Sequence, residues 1–284
     1  MSTSNPVATK MEYIQQLFLA VHHFIRTEPE VQDLISYLES EPMEFRSIAY
    51  ESASFGLGLL DFSKGTDLDK WEHFYNQIGK IHRFHFEIGL GWAFAKTKTL
   101  PSQNWKSLHP LMRWMVFDGI GYYHALYKGR RTIKNKIIPE EIEEKDRPGY
   151  DQGIGRRLWY VAKGDVEKLI QLTKDFPFSR HSNLWRGIGI ACGYVGGSEE
   201  KKLVALLKAS GEFKKNICTG IALAAISRKT SENVTENIKL ACQVFCKMDL
   251  DELINLEEKI TDQLDTNSEH FCENWIAHFE AEFS

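Results

Sequence analysis

Residues 117–129 read FDGIGYYHALYKG, two glycines, an aspartate and a histidine set into an apolar and aromatic run. Read alone, the G-x-G suggests a phosphate-cradling loop. It is not alone. The pair recurs as FGLG at Gly56 and Gly58, IGLG at Gly89 and Gly91, QGIG at Gly153 and Gly155, and RGIG at Gly187 and Gly189. A decayed TGIA follows at Gly220 and Ala222, and the first glycines are 33, 30, 34, 34 and 33 residues apart. No alternating β-branched run precedes any copy and no G-K-[ST] follows one, so the pair reads as architecture and not as a nucleotide loop.

Each copy reads as a helical hairpin: an inner helix bearing G-x-G, a glycine-containing turn and an amphipathic outer helix. YDQGIGRRLWYVAKG runs into DVEKLIQLTKDF, and LWRGIGIACGYVGG into SEEKKLVALLKASG. Asp165 and Ser198 are the expected N-caps of the two outer helices. Glycines at i and i+2 project from nearly opposite sides of a helix, about 200° apart. Each costs about 1 kcal/mol of helix propensity, which close packing on both sides offsets. The expected fold is all-α, with hairpin repeats of about 33 residues stacked as a solenoid or a closed α/α array.

One domain over 1–284 is expected: an N-terminal cap (1–37), repeats (45–247), a charged connector (130–149) and a C-terminal piece (248–284). The connector carries Pro139 and Pro148 and reads as a surface loop or lid. The period runs through it unbroken.

The totals bound the function. The 284 residues carry a net charge of −4 with basic residues spread along the chain, so there is no nucleic-acid footprint. Aromatics make up 12%, which suits a groove for a greasy ligand. Five cysteines without paired C-x-x-C knuckles point to reduced thiols and a cytoplasmic protein, with no metal site or cofactor expected. The N-terminus lacks the basic region and cleavage site of a secretory signal. No run reaches the ~18 apolar residues of a membrane span.

The repeat supplies its own control for unusual residues. With the first glycine as zero, position +5 reads Asp61, Phe94, His124, Leu158, Cys192 and Ala225; position −2 reads Ser54, Glu87, Phe117, Asp151, Trp185 and Cys218. These two positions share one helix face. Position −1 reads Phe55, Ile88, Asp118, Gln152, Arg186 and Thr219. Asp61, Glu87, Asp118, His124, Asp151, Gln152 and Arg186 thus stand where other copies carry mostly apolar groups. Desolvating an isolated charge is costly. Such residues form either a ladder of inter-repeat ion pairs or a pocket with acid/base capacity in an aromatic wall. GRRLWYV adds Arg156, Arg157, Trp159 and Tyr160, an anion clamp or a cation–π stack. His82 and His85 read as satisfied histidines, and no H-E-x-x-H or G-x-S-x-G occurs.

FDGIGYYHALY, GYDQGIGRRLWYV and LWRGIGIACGYVGG, with FEIGLGWAFAK and YESASFGLGLLDF before them, resemble a bacterial family of unknown function whose members are called enediyne-biosynthesis proteins. The resemblance runs from about Phe45 to Leu207. It implies a place among polyketide genes whose products begin as apolar polyenes, and marks Asp118, His124, Asp151, Gln152, Arg156, Trp159 and Arg186 as signature residues.

Two functions follow as expectations. The first is a natural-product protein that binds a long polyene or polyketide-like intermediate, and leaves open whether it transforms it. Asp118, His124 and Asp151 are its candidate catalytic residues; Asp61, Glu87, Gln152, Arg156, Trp159 and Arg186 are its candidate ligand contacts. The second is a non-catalytic helical-repeat scaffold for a protein partner.

Overall fold

The computed structural model describes residues 6–65, 68–99, 110–266, 268 and 270–283. These residues form helices joined by turns, with no strand among them. In chain order the α-helices are α1 (Pro6–Ile25), α2 (Val31–Glu39), α3 (Arg46–Lys64), α4 (Asp69–Phe74), α5 (Arg83–Thr97), α6 (Pro110–Tyr127) and α7 (Arg147–Ala162). They continue as α8 (Val166–Lys174), α9 (His181–Val195), α10 (Glu200–Ala209), α11 (Lys214–Thr230), α12 (Glu236–Ala241), α13 (Leu250–Asp262) and α14 (Phe271–Glu282).

Six inner helices, α3, α5, α6, α7, α9 and α11, pack side by side in that order. The glycine pairs are what let them approach. A side-chain carbon on Gly153 would fall on the Asp118 carbonyl oxygen of α6, and one on Gly155 on the Leu184 carbonyl oxygen of α9. Gly119 and Gly121 meet Ile88 of α5 and Tyr150 of α7 in the same way. The first glycine of a pair faces the preceding helix and the second the following one. Both are covered by backbone, so no phosphate has room there.

The first copy departs from the aligned register. Gly89 meets the carbonyl of Glu51, one helical turn before the residue that alignment on Gly56 would place there. Ser52 and Ser54 occupy the structural positions of the pair, and the Ser54 hydroxyl donates to the Phe86 carbonyl. Gly56 receives Ile25 of α1 instead, and Gly58 faces Ala93.

The row curves until its ends meet. Asn233, just past α11, donates to the Ser47 hydroxyl at 2.8 Å, and Ser231 to the Ile81 carbonyl at 3.0 Å. Arg228 is fully buried at this seam and donates to the carbonyls of Asn233 and Tyr194. Helix α1 lies across the inner helices, touching α3 and α9, while α14 touches α6 and α11.

One local expectation is corrected. Asp165 caps α8 by accepting from the Lys168 amide, but α10 begins at Glu200 after Glu199, and Ser198 caps nothing. The connector 130–149, expected as a surface loop or lid, contributes no residue to the cavity lining. It packs along the outside between α6 and α7, with Thr132 and Ile142 buried. All five cysteines are buried free thiols.

Candidate functional site

The inner helices enclose a cavity of about 490 Å³ roofed by α1. It is lined by residues one helical turn apart. The rows are Glu51 and Ile88; Trp92, Tyr122, Arg156, Ile190 and Leu223; and Leu126, Tyr160, Tyr194 and Ser227. Spacing of i, i+4 and i+8 keeps them on one helix face. From α1 come Met11, Ile14, Phe18 and Leu19. Trp92 stacks between Phe18 (centroids 4.6 Å apart) and Tyr122 (5.3 Å), which makes one wall a continuous aromatic surface. The lining residues Glu12, Gln15, Leu19, Tyr127 and Lys163 are exposed, and they mark the mouth.

Polar groups gather at one part of this wall. Arg156 donates to Asp118 at 2.5 Å, and its other terminal nitrogen lies 3.9 Å from Glu51. Gln152 donates to the second Asp118 oxygen at 2.8 Å and accepts from Arg186, also at 2.8 Å. Arg186 continues to Glu280 of α14 at 3.5 Å. Glu51, Arg156, Asp118, Gln152, Arg186 and Glu280 therefore form one ladder across successive helices. Cooperative networks of this kind fix side chains and register. Only Glu51 and Arg156 of this ladder reach the cavity; Asp118 and Gln152 stand behind Arg156.

Burial raises the Glu51 carboxyl to about 7, the nearby Asp118 adding to it and Arg156 opposing it. Glu51 therefore exchanges its proton near neutrality. Burial disfavours the Arg156 charge, yet the carboxylates of Asp118 and Glu51 hold it firmly protonated. His85 also lines the cavity, 3.4 Å from the Ser227 hydroxyl and against the Tyr194 ring. Burial, with Arg156 and Arg228 nearby, holds its imidazole well below the usual range, so it is a neutral acceptor or donor.

Of the nine candidate residues named from the sequence, Arg156 alone borders the cavity. The face shared by −2 and +5 turns outward, onto the outer elements. Asp151 is gripped by Arg180, whose Nε and Nη2 reach its carboxylate at 2.5–3.0 Å while Nη1 donates to the Lys136 carbonyl. Asp61 accepts from the Lys70 and Trp71 amides and so holds the start of α4. His124 lies 3.3 Å from the Tyr150 hydroxyl and 3.1 Å from Lys128. Burial pushes it down to about 4. Glu87 is fully buried, neither oxygen has a well-formed hydrogen bond, and burial lifts it to about 8 against the pull of the Tyr75 hydroxyl. Trp159 is core, its ring against the turn at Gly164. Asp118, His124 and Asp151 make no hydrogen bond to one another, so the structure brings no three-residue catalytic group together.

Glu51, His85, Tyr122, Arg157 and Tyr160 are among the cavity groups that the candidate set lacks. Glu51 was findable. It precedes the small-x-small pair of Ser52 and Ser54 just as Asp118, Gln152 and Arg186 precede theirs, but glycine alone does not reveal that register.

A family model described as "Protein of unknown function (DUF1702)" matches residues 1–283. The chain belongs to this family. No curated protein and no solved structure matches it. Among the described residues of this DUF1702 member, no helix is long and apolar enough to cross a membrane.

Proposed function

We propose that the protein binds an elongated apolar small molecule, of the polyene or polyketide-like class, inside the cavity and exchanges a proton with it through Glu51. The observation that carries this is the lining: apolar and aromatic side chains from six helices and α1 surround one carboxyl that titrates near neutrality. Pockets of several hundred Å³ with few, converging polar groups are typical small-molecule sites. A desolvated carboxyl near pH 7 suits general acid–base work. His85, neutral on the same wall, is the second group able to take or give a proton. Asp118 acts at one remove, as a positioning residue that fixes the Arg156 guanidinium beside Glu51.

A protein-scaffold role has less support, because α1 covers the inner face where a polypeptide would lie. Native mass spectrometry of freshly purified protein tests the proposal. A retained small molecule released by organic solvent is expected, together with saturable binding of a fluorescent conjugated polyene. Ile190→Trp, which intrudes on the cavity from α9, should weaken both markedly while the melting temperature holds. Polyene binding unchanged by this intrusion would refute the assignment of the cavity.

A further inference from the structure

The charges around the cavity do not balance. Arg156 is matched by Asp118 and faces Glu51, so its charge is accounted for. Arg157, the next residue, lines the same cavity, is only partly exposed, and has no carboxylate partner among the described residues. Its Nε is buried without a hydrogen-bond acceptor. The Tyr122 hydroxyl stands beside Arg157, and the Tyr160 ring meets the Tyr122 ring edge-on, with centroids 5.7 Å apart. The other lining carboxylate, Glu12, is exposed at the mouth, where water solvates it. A guanidinium and two phenols therefore share one part of the chamber wall, and among the described residues no carboxylate pairs with that guanidinium.

Withdrawing part of a guanidinium from water without a counter-charge is unfavourable, and a planar fork of N–H donors matches a carboxylate or phosphate. Resting on the cavity as the ligand site, we propose that the ligand is an anionic amphiphile. Its carboxylate or phosphate head is held by Arg157 with the Tyr122 and Tyr160 hydroxyls, and its apolar tail runs along Trp92, Ile88 and Phe18. Arg157 and the tyrosines then select for the head, while the aromatic wall tolerates tails of differing detail.

Two forms of one fluorescent polyene separate this from the cavity assignment itself: parinaric acid and its methyl ester, titrated into the full chain. The acid should bind at least about tenfold more tightly than the ester, the scale of one charge-assisted hydrogen bond. Arg157→Gln should weaken the acid to the level of the ester and leave the ester unchanged. Arg157→Lys should restore part of the difference, and Tyr160→Phe should give a smaller loss of the same selective kind. Equal binding of acid and ester to the wild type, or equal weakening of both by Arg157→Gln, would overturn the anionic head and leave the cavity assignment standing. Binding of neither form would overturn both. Displacement of the acid by dodecanoate or by dodecyl phosphate, and not by dodecanol, supports the head and identifies which anion it is. Dodecanol competing as well as both refutes it.

Discussion

Two buried arginine–carboxylate pairs sit on opposite faces of the same helical row, and they differ in what they leave open. On the outer face Arg180 holds Asp151 through Nε and Nη2 and donates its remaining nitrogen to the Lys136 carbonyl. Every polar atom of the grip is spoken for. On the inner face Arg156 holds Asp118 through one terminal nitrogen and turns the other toward Glu51, at the cavity wall. The chemistry is the same and the burial similar. Saturation marks the outer pair as structure; the inner pair is also matched in charge, and what sets it apart is that Arg156 and Glu51 line the cavity while Asp151 and Arg180 do not.

The largest expected effect breaks the outer pair. Asp151→Ala leaves the Arg180 guanidinium buried without its carboxylate, which costs about 3–5 kcal/mol. Chemical denaturation should report a loss of that size, while the folded fraction still binds the polyene with wild-type affinity. Weakened binding with stability unchanged would erase the distinction between the faces.

The pH dependence separates the faces next. Glu51 and Glu87 keep their protons in the folded chain where the unfolded chain, with its ordinary carboxyls near 4.5, has lost them. The folded state then binds more protons, so stability falls as pH rises from about 4.5, to about 7 for Glu51 and about 8 for Glu87. His82 and His124, held near 4, act in the opposite sense, but only below their ordinary 6.5. Above 6.5 the carboxyls dominate. Denaturation between pH 6.5 and 8 should show stability falling by about 1 kcal/mol per pH unit. Glu87→Gln should remove most of that slope and leave ligand binding alone. Glu51→Gln should remove only the part below about 7 and alter ligand turnover or affinity. A slope untouched by Glu87→Gln would show that this carboxyl is ionised and partnered.

How far the sequence carries this division depends on the residue. The pairs at Gly89 through Gly189 repeat literally, since each must let a backbone carbonyl approach, so the all-α array is legible from their spacing. The polar ladder is legible at Asp118, Gln152 and Arg186 for the same reason: the row is locked to the glycine by helix geometry. The inward face is not. Positions −2 and +5 differ from −1 and +3 by a fraction of a turn, and both faces are buried in an array with outer helices and a roof. Polarity at Asp61, Glu87, His124 and Asp151 therefore signals burial against an outer element as readily as a site. Glu51 is hidden by serine standing in for glycine, a substitution that the Phe86 carbonyl tolerates by accepting a hydrogen bond.

The smallest effect falls at the histidine of the stretch FDGIGYYHALYKG. His124 is neutral at pH 7 because burial, Lys128 and Arg131 all disfavour its charge. Its Nε2 accepts from the Lys128 ammonium, which leaves Nδ1 to donate to the Tyr150 hydroxyl. His124→Leu removes both contacts, but Lys128 is partly exposed and turns to water, and Thr132 stands beside the Tyr150 hydroxyl. Phe94, Leu158, Cys192 and Ala225 show that apolar side chains fit the aligned position in other copies. Replacing a lightly bonded polar group by an apolar one of similar size is near neutral. Stability should change by less than about 1 kcal/mol and polyene binding not at all, since the cavity meets α6 through Met115, Tyr122, Leu126 and Tyr127 and not through His124. Calorimetric melting and the same polyene titration check both. Selective loss of binding at unchanged melting temperature would draw the outer face into the site and undo the contrast between the two arginine pairs.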